Sequence, residues 1–374
     1  MKIVIVSALY PSKDIIYADA FVHTRALAYK SHGHEIHVVT YACEDHNEYV
    51  HEGIPVYNQP NASAVYNNIQ RIKPDAIFIH FFHPQMLEWI ERTDVPVTLW
   101  VHGYEVMNWY RRHWNFTVPE FIRYLPGNAL AAFKRTKTWK ALAELSKRTA
   151  GRIHFVFVSE WIRCVAQNDN GISLPFSSVI SNPIDSERFA WLEKEGDSAA
   201  NILSIKSFAT KMYANDITVK TILKLSKHRI FKNLNFSLYG DGKCWSCVQP
   251  LKELSNVRLN RTFIEQKKIS AIHSLHGIWL GPTRMDTQGV SMCEAMSSGL
   301  VPVTSKVAAI PEFVRDGTDG ILTDNTPEQL AEAVIFLNEN PTVFKKMSLN
   351  ASLQIKTKCS LKEIIPKELK LAGR

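Results

Sequence analysis

The sequence predicts an α/β protein built from two Rossmann-like, doubly wound domains facing a central cleft. Three observations lead there. Short apolar runs alternate with helical patterns from residue 2 to about residue 183. The alternation restarts after a polar, irregular join, NPIDSERFAWLEKEGDSAAN. The 374 residues, 45% of them hydrophobic, are enough for two ordinary cores. In this architecture ligands sit outside the carboxyl ends of the strands, so the loops that leave strands carry the functional reading.

In order, KIVIVSAL is the kind of β-branched run that parallel sheets bury. It is too short, and lacks the small-residue cleavage pattern, to read as a leader. A helix over 19–31 follows, stopped by His32-Gly33, then the strands EIHVVTY and GIPVYN, a helix near 62–72, DAIFIHF, a helix near 84–92 and PVTLWVHG. After a basic segment come RIHFVFVS, a helix near 160–168 and SSVISNP. The second series runs NILSIKS, helix 215–227, LNFSLYGDG, helix 265–275, GIWLGPT, helix 290–298, LVPVTS, helix 308–315, GILTD and helix 327–338. The expected domains are 1–184 and 185–354, with a C-terminal helix within 355–374 packing back on the first.

The net charge of +8 is concentrated. Residues 104–152 hold ten Lys/Arg against three acids, interleaved with Trp109, Tyr110, Trp114, Phe116, Phe121, Tyr124 and Phe133. Basic and aromatic side chains together suit an anionic membrane surface. A solvated basic helix face over a core has the same composition. Nucleic acid is the weakest of the three readings, and none is expected as a partner. No run of 18 apolar residues occurs, so no spanning helix is expected. Six scattered cysteines make no disulfide framework, and the expected location is cytoplasmic, at most peripheral on the inner face of a membrane. Cys244 and Cys247 form one CxxC without a second pair at zinc spacing, and read as loop cysteines.

Neither half carries GxGxxG after its first strand, which argues against a dinucleotide cofactor. The stretch DTQGVSMCEAMSSGLVPV, residues 286–303, is more informative. Gly289 permits close backbone approach, a helix starts near Val290, and a helix N-terminus beside a strand end suits a diphosphate. Met292 and Met296 share one helix face and Glu294 lies nearly opposite, free to accept from a ribose diol. Asp286 can accept from sugar hydroxyls. The plain alternative makes Glu294 a favourable first-turn acid and Asp286 a turn residue.

The stretch PTRMDTQGVSMCEAMSSGLVPVTSKVAAIPEFVRDGTDGIL resembles the C-terminal signature of the retaining GT-B glycosyltransferases of family four, the glycosyl transferases of group one. The matching residues are Asp286, Gly289, Glu294-Ala295-Met296, Gly299, Pro302-Val303 and Ala309-Ile310-Pro311-Glu312. Weaker echoes occur in order elsewhere: SHGHEIHVVT, FVSEWIR, SNPIDSERF and LYGDG. The resemblance spans nearly the full length. It implies a soluble two-domain GT-B enzyme that moves a sugar from a nucleotide-diphosphate sugar, uridine rather than guanosine, to a saccharide or lipid-linked acceptor with retention, in cell-surface polysaccharide synthesis. It implies no metal and no separate cofactor. It gives Glu294 the ribose, Asp286 the sugar hydroxyls, and Thr287, Gln288, Gly289 and Val290 the diphosphate or sugar. Where the family has a Gly-Arg pair and a Lys, this chain has SIKSFATKMYAND, leaving Lys206 and Lys211 as the cations, Lys211 preferred. His102, at the end of PVTLW, would position sugar or acceptor, with Glu105 on the same loop and His80 and His83 behind it. The chain departs from the family at Asp286 (Glu is usual), Pro183 and Ala20 (Gly is usual). A sugar-nucleotide epimerase of the same fold and a non-catalytic partner subunit are the rival readings.

Overall fold

The computed structural model describes residues 1–12, 19–42 and 46–373; residues 13–18, Cys43 with 44–45, and 374 lie outside the described residues. The chain divides into two compact units, Met1–Pro183 with Leu361–Arg374, and Ile184–Ser360.

The first unit contains β1 (Lys2–Ser7), α1 (Ala20–Ser31), β2 (Glu35–Thr40), β3 (Asn47–His51), β4 (Ile54–Asn58), α2 (Ala62–Ile72), β5 (Ala76–His80), α3 (Leu87–Arg92), β6 (Val97–Val101), α4 (Val118–Arg148), β7 (Ile153–Phe157), α5 (Glu160–Asn170) and β8 (Ser177–Val179). Its sheet runs β3-β4-β2-β1-β5-β6-β7-β8, parallel except for the antiparallel β3–β4 pair. Every residue of β5, β6 and β7 is buried, as befits mostly apolar runs covered on both faces, each with one buried polar residue, His80, Thr98 and His154. Strand β3 was not anticipated. Its sequence NEYVH sits at the sheet edge with mostly exposed side chains and so lacks an apolar run.

Helix α4 opens on a capping box: the Thr117 backbone N–H donates to Glu120 Oε2 at 2.8 Å, and the Thr117 hydroxyl accepts from the Glu120 N–H at 3.5 Å. Its buried residues, Trp139 to Ser146, all lie in its C-terminal part.

The second unit contains β9 (Asn201–Ile205), α6 (Asn215–Leu225), β10 (Asn235–Tyr239), β11 (Val257–Asn260), α7 (Gln266–Ser274), β12 (Ile278–Leu280), α8 (Val290–Ser297), β13 (Val301–Ser305), β14 (Ile321–Thr323), α9 (Pro327–Glu339) and α10 (Pro341–Cys359). Its sheet is wholly parallel, β11-β10-β9-β12-β13-β14. The stretch expected as a helix at 308–315 is a single 3-10 turn, Ile310–Glu312, with Pro311 inside it.

Helix α10 stays in the second unit to Cys359, so the element that belongs with the first is α11 (Leu361–Ala372) rather than all of 355–374. Helix α11 is fixed to α1 by a buried ion pair, Arg25 Nε to Glu368 Oε1 at 2.9 Å, and by the Tyr29 hydroxyl donating to Glu368 Oε2 at 2.6 Å. Both side chains of the pair are fully buried, and Ile364, Ile365 and Leu371 join the core around β1 and β5.

Candidate functional site

In the second unit, the segments leaving β9 and β12 meet at the carboxyl edge of the sheet. Lys206 follows β9 directly, and its ammonium donates to the Pro282 carbonyl in the loop after β12. Burial lowers its pKa to about 7, with the Asp286 carboxylate raising it and Arg284 lowering it further. Asp286 Oδ1 accepts the Gly289 N–H at 2.7 Å and the Gln288 N–H at 3.1 Å, folding the loop back on its own acid. Burial pushes this carboxyl up, while the loop amides and Lys206 pull it down. Gly289 sits at φ 77°, a left-handed conformation that glycine adopts freely, and α8 starts on the next residue. The Ser291 hydroxyl reaches back to the Ile205 carbonyl at 3.3 Å, tying the first turn of α8 to the end of β9. Met292 and Met296 are fully buried and Glu294 is half-buried. Burial raises the Glu294 pKa to about 7, opposed by the charge of Arg188. Glu294 stands in the second turn of α8, so the first-turn explanation for it does not hold.

The LYGDG turn is built for close approach. A Cβ on Gly240 would stand 1.9 Å from the Lys206 carbonyl oxygen, and one on Gly242 would stand 2.4 Å from the Ala209 nitrogen. These glycines let the turn after β10 press the segment bearing Lys206 into place.

In the first unit, His102 leaves β6 and shares a 3.0 Å hydrogen bond between its Nε2 and His80 Nδ1, at the end of β5. Burial and the charge of Arg25 hold both imidazoles well below their usual pKa, so they are neutral. Glu105 accepts the His102 N–H at 2.6 Å and the Gly103 N–H at 3.0 Å, and its carboxyl is raised by burial against those bonds. The Trp139 indole donates to the Glu105 carbonyl at 2.9 Å. Beside this loop lies a cavity of about 390 Å³ whose lining includes Tyr41, Phe81, Tyr104, Glu105, Arg135 and Trp139. Aromatic walls with a few polar groups suit a ring-shaped ligand.

Two family profiles match in tandem: "Glycosyltransferase Family 4" over residues 18–188 and "Glycosyl transferases group 1" over 200–340. The chain belongs to the GT-B glycosyltransferases. A curated relative, alpha-monoglucosyldiacylglycerol synthase of Acholeplasma laidlawii, is 26% identical over 143 residues, spanning 37% of this chain and about a third of that protein (35%). Sucrose-phosphate synthase of Thermosynechococcus elongatus superposes with a TM-score of 0.75 at 12% identity, over 100% of this chain and 98% of its own. HepE of Anabaena, solved with UDP and glucose, superposes with a TM-score of 0.69 at 14% identity, over 100% and 99%. At such identities the structures speak for the fold.

Within this GT-B chain, the structure brings Lys206, Asp286, Thr287, Gln288, Gly289 and Val290 together around one loop and one helix start, with Glu294 on the same helix. Lys211 is exposed on a 3-10 turn, whereas Lys206 is held against the loop after β12. That turn is held by Arg284, unnoticed in the sequence, which donates to the Lys211 carbonyl at 2.6 Å and grips both Asp216 oxygens at 2.7 and 2.8 Å. The partners are 68 residues apart, and nothing local signals the pair. Cys244 caps and Cys247 lies within a 3-10 helix, Trp245–Leu251, rather than in a loop; both pack against the core of the second unit, and burial pushes the Cys247 thiol up to about 11. Among the described residues, His23, His51 and Glu52 offer ligand atoms within 4.8 Å of one another. His23 already engages the Tyr10 hydroxyl at 2.6 Å and Glu52 at 3.2 Å. No described helix is long and apolar enough to cross a membrane.

Proposed function

We propose that this protein transfers a sugar from a nucleotide-diphosphate sugar, UDP-linked, to a hydroxyl of a saccharide or lipid-linked acceptor with retention of configuration, in glycolipid or cell-surface polysaccharide synthesis. The observation that carries the reading is the meeting of Lys206, the Asp286–Gly289 loop and the first turn of α8 in the second unit. Lys206 and the α8 amides offset the diphosphate charge and stabilise it as leaving group. Glu294 holds the ribose diol and Asp286 orients the sugar. The sugar–phosphate bond breaks, the acceptor oxygen bonds to the same carbon from the same face, and the hydroxyl proton passes to the departing phosphate oxygen. His102 positions sugar or acceptor in the first unit. The reading of retention is supported by the resemblance of the DTQGVSMCEAM signature to family four, and that of UDP by the HepE complex, a protein of the same fold.

The test is a thermal-shift series with UDP, GDP, ADP and their sugars. UDP should raise the melting temperature most, and Glu294→Ala should lose the shift. No stabilisation by any of the three would sink the reading. Free UDP released on adding acceptor supports transfer; epimerised donor or binding without turnover supports the rivals.

The acceptor side has its own support. Val118, Ile122, Leu125, Ala129 and Phe133 fall on one face of α4, at 100° per residue, over about 22 Å of helix. Val118 is 75% exposed, Ile122 65% and Phe133 69%, too apolar a face to leave to water by chance. Arg123, Lys134 and Lys137 accompany the stripe, and the guanidinium of Arg112 lies 4.1 Å over the Tyr104 ring. A helix of this make-up lies in the surface of an anionic bilayer, and the curated relative makes a glycolipid, as its name states. The chain should float with vesicles containing anionic lipid and release at high salt, and Ile122→Ser/Leu125→Ser/Phe133→Ser should stay behind. Flotation indifferent to anionic lipid would remove the idea.

A further inference from the structure

The first unit contains a line of buried polar groups that the transfer reaction, as described, does not use. It starts on α11 at Glu368, whose carboxylate takes Arg25 Nε at 2.9 Å and the Tyr29 hydroxyl at 2.6 Å. Arg25 Nη2 donates to Asn182 Oδ1 at 3.0 Å. The remaining terminal nitrogen, Nη1, is buried without a hydrogen-bond partner among the described residues. The guanidinium lies 6.0 Å from the Trp100 ring, on which the His80 imidazole stacks at 4.8 Å. His80 gives its Nδ1 to His102 Nε2, and its own Nε2 is buried without a partner among the described residues.

The direction of that histidine pair can be derived. In a neutral imidazole one nitrogen donates and the other accepts. A proton on His80 Nε2 would leave a second orphaned N–H in a buried neighbourhood that already holds a cation with an unmet N–H of its own. Orphaned buried donors are the rarer and costlier defect. A lone pair on Nε2 instead lies in the field of the Arg25 cation, whose charge acts on this ring. His80 then carries its proton on Nδ1 and donates it to His102 Nε2, which must accept. The one proton of His102 is left on Nδ1.

We infer that Arg25 and His80 are positioning residues that lock His102 as an Nδ1–H donor, so that it gives a hydrogen bond to a hydroxyl oxygen of the bound sugar or acceptor and does not act as a base. Phe21 and Phe81, with ring centroids 4.9 and 4.7 Å from that of His102, hold the ring in place. The ligand named here rests on the proposed transferase function; the tautomer does not.

The experiment is two-bond proton–nitrogen correlation NMR on the full chain labelled with nitrogen-15 histidine, assigned with His80 and His102 variants. Both rings should appear as the Nδ1–H form, the minor one for free histidine, and stay neutral between about pH 6 and 8. An Nε2–H signal for His102 overturns the inference whatever the enzyme does. His80→Phe keeps an aromatic ring on Trp100 but removes the donor. It should lower kcat roughly five- to tenfold, the equivalent of one neutral hydrogen bond, and leave UDP affinity unchanged. His80→Asn, whose amide N–H reaches the position of Nδ1, should recover most of that loss. Equal activity in wild type and His80→Phe would show that the locked donor has no part in turnover. Failure of the wild type to bind any nucleotide would count against the transferase reading and leave the NMR result standing.

Discussion

The loop leaving β6 and the loop leaving β12 are each folded around a carboxylate that accepts two backbone N–H groups, yet their surroundings differ. Glu105 takes the amides of His102 and Gly103, on its N-terminal side, while Asp286 takes those of Gln288 and Gly289, on its C-terminal side. Next to the first loop stand two neutral imidazoles and the aromatic wall of a cavity. Next to the second stand an ammonium and a helix N-terminus. The same backbone device therefore shapes two loops with different charges beside them; under the proposed function the first faces sugar or acceptor hydroxyls and the second the diphosphate. Arg25, whose charge reaches the two imidazoles, is paired with the buried Glu368, whereas Lys206 stands beside the acid of its own loop. What separates the loops is the Lys206 cation.

Removing that cation gives the largest expected effect. Lys206→Met should reduce kcat by about 10²–10³, the usual loss when a group that stabilises a developing negative charge is deleted. Lys211→Met should stay within about threefold, because that side chain is exposed and its turn is held through its backbone carbonyl. Steady-state kinetics with UDP-sugar decides. Equal losses would place the diphosphate between the two lysines and erase the charge contrast as drawn.

The two carboxylates come next. Asparagine at 286 keeps an oxygen for both loop amides, which Asp286 takes on Oδ1 alone, while glutamine at 105 keeps one of its two acceptors and loses the other, a local cost that leaves the fold intact. Asp286→Asn should lower kcat/KM roughly tenfold or more, the cost of losing a charge-assisted hydrogen bond to a sugar hydroxyl. Glu105→Gln should cost about threefold, since its two oxygens are already committed to its own loop. A larger loss at 105 than at 286 would reverse the assignment of the two loops.

These contrasts were only partly legible in the sequence. Strands such as IVIVS and VTLWV announce themselves because burial on both faces leaves mostly apolar, β-branched residues, with Ser7 and Thr98 the buried exceptions. Gly289, Val290 and Glu294 could be placed because a glycine, a helix start and a methionine spacing are all local signals. Strand β3 could not, because an edge strand has one face and one neighbour. Helix α4 carries Pro119, Pro126 and Gly127, which read as breakers, although Pro119 sits in the first turn where no N–H is missed. The preference for Lys211 over Lys206 rests on the family's Gly-Arg and Lys pattern, placed on this chain by its spacing. Spacing cannot see that Pro282, 76 residues on, holds the Lys206 ammonium beside Asp286. Arg25 and Glu368, 343 residues apart, pair for the same kind of reason: tertiary partners leave no local periodicity.

The pH dependence is the most discriminating test. Glu294 and Lys206 both titrate near pH 7, in opposite senses. Glu294 is raised above its unfolded value, so between about 4.5 and 7 the folded state binds more protons, and this group's contribution to stability falls as pH rises across that window. Lys206 is lowered below its unfolded value, so between about 7 and 10.5 the unfolded state binds more protons, and its contribution to stability rises with pH there. Ligand binding adds a second pattern. A ribose diol donates best to an ionised Glu294, which favours UDP as pH climbs to about 7. A diphosphate binds best to a protonated Lys206, which disfavours it above. Calorimetric UDP affinity should therefore peak near neutrality and fall by up to about tenfold per pH unit on the alkaline side. Lys206→Arg, which keeps its charge, should flatten the alkaline limb, and Glu294→Gln the acid limb. The ligand's own titration is common to every variant and cancels in the comparison. Glu105→Gln should leave both limbs as they are, because under the proposed function the nucleotide is held at the loop after β12 while the Glu105 side chain is turned onto amides of its own loop; a limb that moves with it would count against that assignment.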